Sequence, residues 1–457
     1  MPLVGENRKI VRIGLRMMRG TRCLGLRALM SASGLGGKKI LAGHVAFQIA
    51  PRLNSVGRLK EASEGVKLLL TEDADEAKTL ARRLDKLNTR RKDIEMEILS
   101  AAEEKVHLMR AERGGDLSSL VIWGEGWREG VIGLTASKLV ERYNLPTIIL
   151  TTQDKISYRG SCRSIAALHM KNALDSMAEL FEQYGGHSQA AGLTISAENV
   201  SEFAERFDYY VRNKLRDEEF QPILNVDAII APAQITFEVA REFEKFEPYG
   251  LGNPHPILGC KGVRGTDAKA IGKEGAHLSF SVGENIRALA WSCGNMAPLV
   301  ENEMIDVAYE PELNEWQGEI RIQCNVTSLE PAAVGEAVLD REQLLEVYNF
   351  LRKTRSFTEK FSLCALVRSF NVESGKNLST YTFDGAIKVF EELGLIVIDR
   401  DKKTFELPRP KVKLELNNSR TYRLGMREHG KEISKPSASS GKVISLDSVV
   451  KSRALKM

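Results

Sequence analysis

Between Thr71 and about Arg110 apolar residues recur at spacings of three and four: Ala77, Leu80, Leu84, Leu87, Ile94, Ile98 and Ala101, with Arg91 the only polar residue in the stripe. That is the period of one face of an α-helix. A helix of some 35 residues is about 50 Å long, longer than a small domain is wide, so the pattern predicts a connector between domains. Thr71 or Asp73 can cap its start, and Asp73 with Glu76 forms a capping-box-like pair. Asp73-Ala74-Asp75 has the spacing of a metal-binding pair. On the first turn of a helix, however, acids cap amides and complement the dipole, and the pair reads as structural.

The rest of the 457 residues must therefore be divided among several domains, at roughly 100–200 residues each. After the connector (61–112) comes a βαβ-like unit: strand Leu120 to Trp123, helix Val131 to Glu141 and strand Thr147 to Leu150. Helices expected over Leu168 to Phe181 and Val200 to Leu215 complete an α/β domain at 115–218. Over 222–330 the period becomes two. Leu278, Phe280 and Val282 form one set, Leu289, Trp291 and Cys293 a second, Ile305, Val307 and Tyr309 a third, and Ile320, Ile322, Cys324 and Val326 a fourth. Four or five short strands in such a length suggest a small barrel of the OB type. Residues 341–408 read as helices followed by a hairpin, a winged-helix-like module, and the basic stretch 409–457 as a disordered tail. Residues 1–60 read as the end of a domain that cannot bury a complete core.

Charge narrows the function. The net charge of +4 hides two basic ends: residues 1–60 hold 12 Lys/Arg against one acid, and 409–457 hold 12 against 4. Basic ends around an acidic middle point to a polyanionic partner. The alternative for the first segment, an Arg-rich transit peptide, fits poorly with its glycines and few serines. No apolar run approaches a membrane span, and no signal-peptide core is present. Six cysteines separated by 31 residues or more offer no zinc spacing and read as reduced thiols of a cytoplasmic protein.

Three motifs can carry phosphate chemistry. In Gly185-Gly186-His187-Ser188-Gln189-Ala190-Ala191-Gly192, small residues around one histidine allow close approach, amides at Gly185 and Gly186 can face an anion, and His187 can donate to a phosphoryl oxygen. Taken alone, a histidine in a glycine-rich turn is more often structural. Ser161 and Arg163, two apart on an extended segment, share a face suited to phosphate; a plain strand-end arginine is the competing reading. Arg52 and Arg58 flank a turn with the same ambiguity. The seven histidines form no cluster, and there is no HExxH, Walker loop or defensible Ser-His-Asp set.

Taken together, the motifs resemble the RecJ family of single-strand-specific DNA exonucleases, in the DHH phosphoesterase superfamily. The matching elements are PLVGENR (Pro2 to Arg8), IAPRLNSVGRL (Ile49 to Leu59), LLLTEDADEA (Leu68 to Ala77), LNTRR (Leu87 to Arg91), GEGWREGVIGLTA (Gly124 to Ala136), Gly160 to Ser164, GGHSQAAGL (Gly185 to Leu193), YGLGNP (Tyr249 to Pro254) and NEWQG (Asn314 to Gly318). The resemblance implies a remnant of the DHH domain (1–60), a connector helix, a DHHA1 domain and an OB fold, and 5′→3′ hydrolysis of single-stranded DNA with Mn2+ or Mg2+ in repair and recombination. It implies a catalytic role for His187 and phosphate contacts from Arg52, Arg58, Ser161, Arg163, Gly185 and Gly186. Trp316 is implied to stack on the strand; Trp291 is expected in the core with Leu289 and Cys293. Arg128 stands where the family usually has histidine. The family's aspartate and Asp-His-His motifs, which supply its metal ligands, are not matched. The expectation is thus the C-terminal part of such an enzyme, inactive without a separate or longer DHH-containing region. A non-catalytic single-strand-binding protein is the alternative.

Overall fold

The computed structural model describes residues 1–59, 62–113, 117–283, 286–316, 319–332, 339–354, 363–376, 378–399, 404–408 and 414–428. Two compact bodies result, one from Gly14–Pro222 and one from Met1–Ile13 with Ile223–Ser434.

The first body starts within α1 (Gly5–Arg19) and continues through α2 (Leu24–Ala32), α3 (Ala42–His44), a π-helical turn (Val45–Ile49), α4 (Ala50–Leu59) and α5 (Ser63–Leu70) to α6 (Ala74–Arg113). Asp73 caps α6, accepting from the amides of Asp75 (2.7 Å) and Glu76 (3.0 Å). These bonds hold its carboxyl below the ordinary value. At 40 residues α6 is about 60 Å long. Its apolar stripe serves two separate cores. Ala77, Leu80, Ala81 and Leu84 pack with Leu29, Met30, Ile49, Val56 and Leu68, so the segment expected to lack a core builds one against this helix. Ile98, Ala102, Val106 and Met109 belong to the next core. Arg91 sits buried in the stripe because Glu95 (2.7 Å) and Asn88 (2.9 Å) neutralise and bond its guanidinium, while Lys138 reaches Glu95 at 2.8 Å. Buried charges persist only when paired in this way.

That next core underlies a five-stranded sheet. Its elements are β1 (Leu120–Glu125), α7 (Glu129–Tyr143), β2 (Thr147–Thr152), β3 (Ser157–Arg163), α8 (Met170–Asp175), β4 (Phe181–Gly186), β5 (Ala190–Ser196) and α9 (Val200–Lys214). The strand order is β1-β2-β3-β5-β4, with β1 and β2 parallel as the βαβ pattern predicts and the other pairs antiparallel. The helix expected up to Phe181 ends at Asp175, followed by a short 3-10 turn (Ala178–Leu180). Two causes favour a strand from Phe181 onward. Its ring packs edge-on against Phe203 of α9 (5.0 Å), and Gly185-Gly186 carries poor helix propensity.

The second body holds β6 (Ala228–Ile229), α10 (Phe237–Glu244), β7 (Leu258–Ile271), β8 (His277–Val282), β9 (Ile286–Ala290), α11 (Ala297–Asn302), β10 (Met304–Trp316) and β11 (Glu319–Pro331). The order β10-β11-β9-β8-β7 closes through β7 onto β10, and β9 runs parallel to β11. This is a five-stranded closed barrel, with the short β6 added parallel to β7. Leu278, Phe280 and Val282 face inward as expected. On β9, however, Ile286, Ala288 and Ala290 are inward, and Trp291 is not in the core. The cause is volume: Ala288 pairs with Phe280 and Ala290 with Leu278, so the large residues of one strand fill the space left by the small ones of the other. The N-terminal segment docks on this body, with the Leu3 amide bonded to Leu251 O (2.6 Å) and Arg12 Nε to Glu247 O (3.1 Å).

The C-terminal module contains α12 (Arg341–Thr354), α13 (Leu363–Ser374), α14 (Thr380–Glu392) and the antiparallel ribbon β12 (Val397–Asp399)–β13 (Thr404–Glu406). Phe383, Ile387 and Phe390 make α14 its central helix. Part of the stretch expected to be disordered is folded: α15 (Arg420–Glu428) packs onto the module. Glu392 fixes its start, accepting from Ser419 Oγ (2.6 Å), the Thr421 amide (2.9 Å) and Thr421 Oγ1 (2.7 Å). The rest of that expectation, 409–413 and 429–457, lies outside the described residues. No helix among the described residues is long and apolar enough to cross a membrane.

Candidate phosphate-binding site

Strand β3 lies between β2 and β5 and sends alternate side chains to opposite faces. Cys162 points into the core, where burial pushes its thiol up to about 12. Ser161 and Arg163 point the other way, toward α7. There Gly133 leaves room for them: a Cβ at that position would lie 2.8 Å from both Ser161 Oγ and Arg163 Nη2. The guanidinium is fixed by three donations, Nη1 to Ser161 Oγ (3.1 Å) and Cys162 O (2.8 Å), and Nε to Ser137 Oγ (3.2 Å). Nη2 has no protein acceptor among the described residues. Burial disfavours the charge on Arg163, the Cys162 sulfur opposes that effect, and the nearby charge of Arg58 adds to it.

Arg58 reaches the same place from α4. Its Nη1 donates to Gly130 O (2.7 Å) in the first turn of α7, and a Cβ on Gly130 would sit 2.6 Å from Arg58 O. Arg58 thus lies at the first turn of α7 and Arg163 farther along the same helix, at Gly133 and Ser137, near enough for the two charges to repel. Glu129, in that first turn, is engaged by Arg159 at 3.0 Å. Among the described residues no carboxylate pairs with Arg58 or Arg163. A phosphate suits guanidinium donors of this kind.

The strand register brings glycines beside this cluster. Ser161 opposes Gly192 on β5, and Gly192 opposes Gly185 on β4. A Cβ on Gly185 would meet nothing within 4 Å, and one on Gly192 only Gly160 O at 3.6 Å. Bare, open backbone thus lies next to the hydroxyl. Gly192, one of the motif's residues, had no sequence signal of its own; only register reveals its place. Gly186 is required for packing, since a Cβ there would lie 2.4 Å from Ala191 Cα. His187 is exposed at the β4–β5 turn, its amide bonded to Ala190 O (2.8 Å), and Ala190 opposes Arg163. Two strand spacings, about 10 Å, separate β4 from β3.

Arg52 is not part of this cluster. Its side chain is 17% exposed, with Nε on Asp85 Oδ1 (2.8 Å) and Nη1 on Gln48 O (2.7 Å). The side chain of Trp316 lies outside the described residues, though its backbone ends β10 opposite Glu319. Trp291, expected inside, is 59% exposed and meets the His277 ring edge-on at 4.9 Å. Among the described residues no group of three or more His, Cys, Asp or Glu could hold a metal ion. The site's donors, guanidinium, hydroxyl, imidazole and amide, suit an anion rather than a cation, so these residues do not fit a metal.

Residues 116–213 match the DHHA1 domain and residues 226–328 the RecJ OB domain. The single-stranded-DNA-specific exonuclease RecJ of Bacillus subtilis is 33% identical over 341 residues, 74% of this chain and 42% of that protein. Over these stretches the chain is similar to RecJ proteins. Thermus thermophilus RecJ is also 33% identical, over 328 residues, covering 72% of this chain and 46% of the relative; the Escherichia coli protein is 29% identical over 346 residues, covering 72% and 59%. Crystal structures of T. thermophilus RecJ with Mg2+ and with Mn2+ superpose with TM-scores of 0.60 and 0.61 at 30% identity, covering 78% of this chain and 54% and 51% of those chains. The chain thus spans about half the length of the RecJ proteins it matches.

Proposed function

We propose that this chain supplies the substrate-holding part of RecJ-type 5′→3′ hydrolysis of single-stranded DNA, in DNA repair and recombination. Arg58, Arg163 and Ser161 hold a backbone phosphate, the open backbone at Gly185 and Gly192 lets the strand approach, and His187 donates to a phosphoryl oxygen. The barrel carries the incoming strand, with Trp291 as a stacking surface. The Mn2+ or Mg2+ of the family would stabilise charge on the attacked phosphate. Its ligands would come from residues beyond these 457, so the chain binds strands without cleaving them. The observation that carries this reading is the pair of guanidiniums packed along α7, neither paired with a carboxylate among the described residues.

The test is single-stranded oligonucleotide binding as a function of salt, with mononucleotide release in Mn2+ measured alongside. Each phosphate contact contributes about 0.7 to the slope of log K against log salt for single strands. Arg163→Ala should weaken binding and reduce that slope by about this amount, with no nucleotide released by either protein. An unchanged slope would remove the phosphate assignment, and release by the chain alone would overturn the division of labour. If the chain stays inactive when combined with a DHH-containing RecJ region, the non-catalytic strand-binding alternative takes its place. The lack of a metal-ligand cluster among the described residues is the observation that favours it.

A further inference from the structure

Asn88 and Arg91 of the LNTRR motif lie on α6, outside the phosphate cluster, and Arg52 is tied to the same helix. Asp85 of α6 accepts from Arg52 Nε (2.8 Å), and Arg52 is on α4, six residues before Arg58. Glu95, ten residues after Asp85, receives Lys138 Nζ at 2.8 Å, and Lys138 is on α7. Glu95 does not need Lys138 for charge balance. It is buried with Arg91, whose Nη1 donates to it (2.7 Å) while Nη2 donates to Asn88 Oδ1 (2.9 Å), so that pair is already neutral. Nor does Lys138 need Glu95, since its side chain is 44% exposed and open to water. A third charge leaves the cluster positive, so its part is to tie α7 to α6. The next link is adjacent. Ser137 directly precedes Lys138, and its hydroxyl donates to Gly133 O (3.1 Å) and accepts from Arg163 Nε (3.2 Å). Helix α7 is thus held to α6 through one residue and to Arg163 on β3 through the residue before it.

We propose that α6 acts as a ruler: Asp85 and Glu95 are positioning residues that set α4 and α7 at the separation at which Arg58 and Arg163 hold one backbone phosphate. The proposal rests on the phosphate assignment above and adds what keeps the two arginines in place. Ten residues of helix fix the two anchors about 15 Å apart along the axis. The site needs such a frame because its two guanidiniums repel each other. The carboxylates act one step away, on Arg52 and Lys138, so the arginines that face the phosphate keep their donors for it.

Single-stranded oligonucleotide binding by the 457-residue chain, measured across a salt series beside urea unfolding, tests this. Lys138→Met removes the tether and leaves the Arg91–Glu95 pair intact. It should weaken binding about tenfold, the low end of the roughly 10- to 150-fold that a hydrogen bond to a charged group is worth. The slope of log K against log salt should not change, because Arg163 stays beside the phosphate and still displaces counterions. Lys138→Arg should restore the affinity, and Asp85→Asn should weaken binding in the same way through α4. In a Ser137→Ala background, where Arg163 has lost its hold on α7, Lys138→Met should cost nothing further. A slope reduced by about 0.7 would make Lys138 a direct phosphate contact instead. A folded Lys138→Met chain with the parent's affinity would show that the tether is only structural. Either result would overturn the ruler and leave the phosphate site standing. Failure of the unaltered chain to bind single strands would remove the phosphate site, and this proposal with it.

Discussion

Two glycines three residues apart on α7 make the same substitution test two different things. At Gly133 an added methyl would lie 2.8 Å from Ser161 Oγ and Arg163 Nη2, the ends of two side chains that can move. At Gly130 it would lie 2.6 Å from Arg58 O and 3.0 Å from Arg58 Cα, which are backbone. Ordinary carbon contacts begin near 3.4 Å, so Gly133→Ala must push two polar groups by about 0.6 Å. Alanine in place of glycine inside a helix gains up to about 1 kcal/mol. That gain offsets the displacement, and stability in urea should stay within about 1 kcal/mol of the parent. The binding cost falls on Nη2, the guanidinium nitrogen without a protein acceptor among the described residues. Losing one hydrogen bond to a charged group costs about 1.5–3 kcal/mol, a weakening of roughly 10- to 150-fold. Gly130→Ala must instead move the end of α4 against α7, an overpacking cost of about 1–3 kcal/mol in stability. The assay is oligonucleotide binding at low salt beside urea unfolding of each variant. A folded Gly133→Ala protein that binds single strands as tightly as the parent would refute the placement of the phosphate at Nη2.

Trp291→Ala should weaken single-strand binding by about 1–3 kcal/mol and leave the unfolding midpoint nearly unchanged, because the ring is 59% exposed; a large loss of stability would show that the ring belongs to the barrel core. His107, partly buried on α6, has its pKa lowered by burial and then by Arg110 and Arg142. The folded state thus binds its proton less readily than the unfolded state, and stability from this residue is present above the ordinary value of 6.5 and lost as pH falls through the lower folded value. Urea unfolding at pH 7.5 and 5.5 should show a smaller acid loss for His107→Leu than for the parent, and an identical loss would remove this assignment.

What the sequence conveys here is chemistry and period, and what it withholds is adjacency. The α6 stripe is legible because a 3.6-residue period persists over about seven turns, and Asp73 is legible as its cap because capping is local. Arg91 in that stripe makes sense only with Glu95 and Lys138 in view, and Lys138 is on another helix. On β9 the bulky alternate residues, Leu289 and Trp291, look like the inward set, but Phe280 and Leu278 across the ladder already fill the barrel and leave room only for Ala288 and Ala290. Period two is visible in one strand; its phase is decided by the partner strand.

The phosphate cluster follows the same rule more strictly. Arg52 and Arg58 belong to one motif and differ by six residues, yet one has Asp85 beside it and the other has Gly130. Nothing in the motif distinguishes them, because Asp85 and Gly130 come from separate later helices. Ser161, Gly192 and Gly185 become neighbours through two ladders, and Arg58 joins Arg163 across more than a hundred residues of chain. Each group is recognisable from its own type as a phosphate ligand, a hydroxyl or a bare amide. Only the sheet and the α4–α7 contact make them one site. An unbroken apolar stripe in the sequence thus says that a helix is there. It does not say that the helix passes from one core to a second, with a buried ion pair between them.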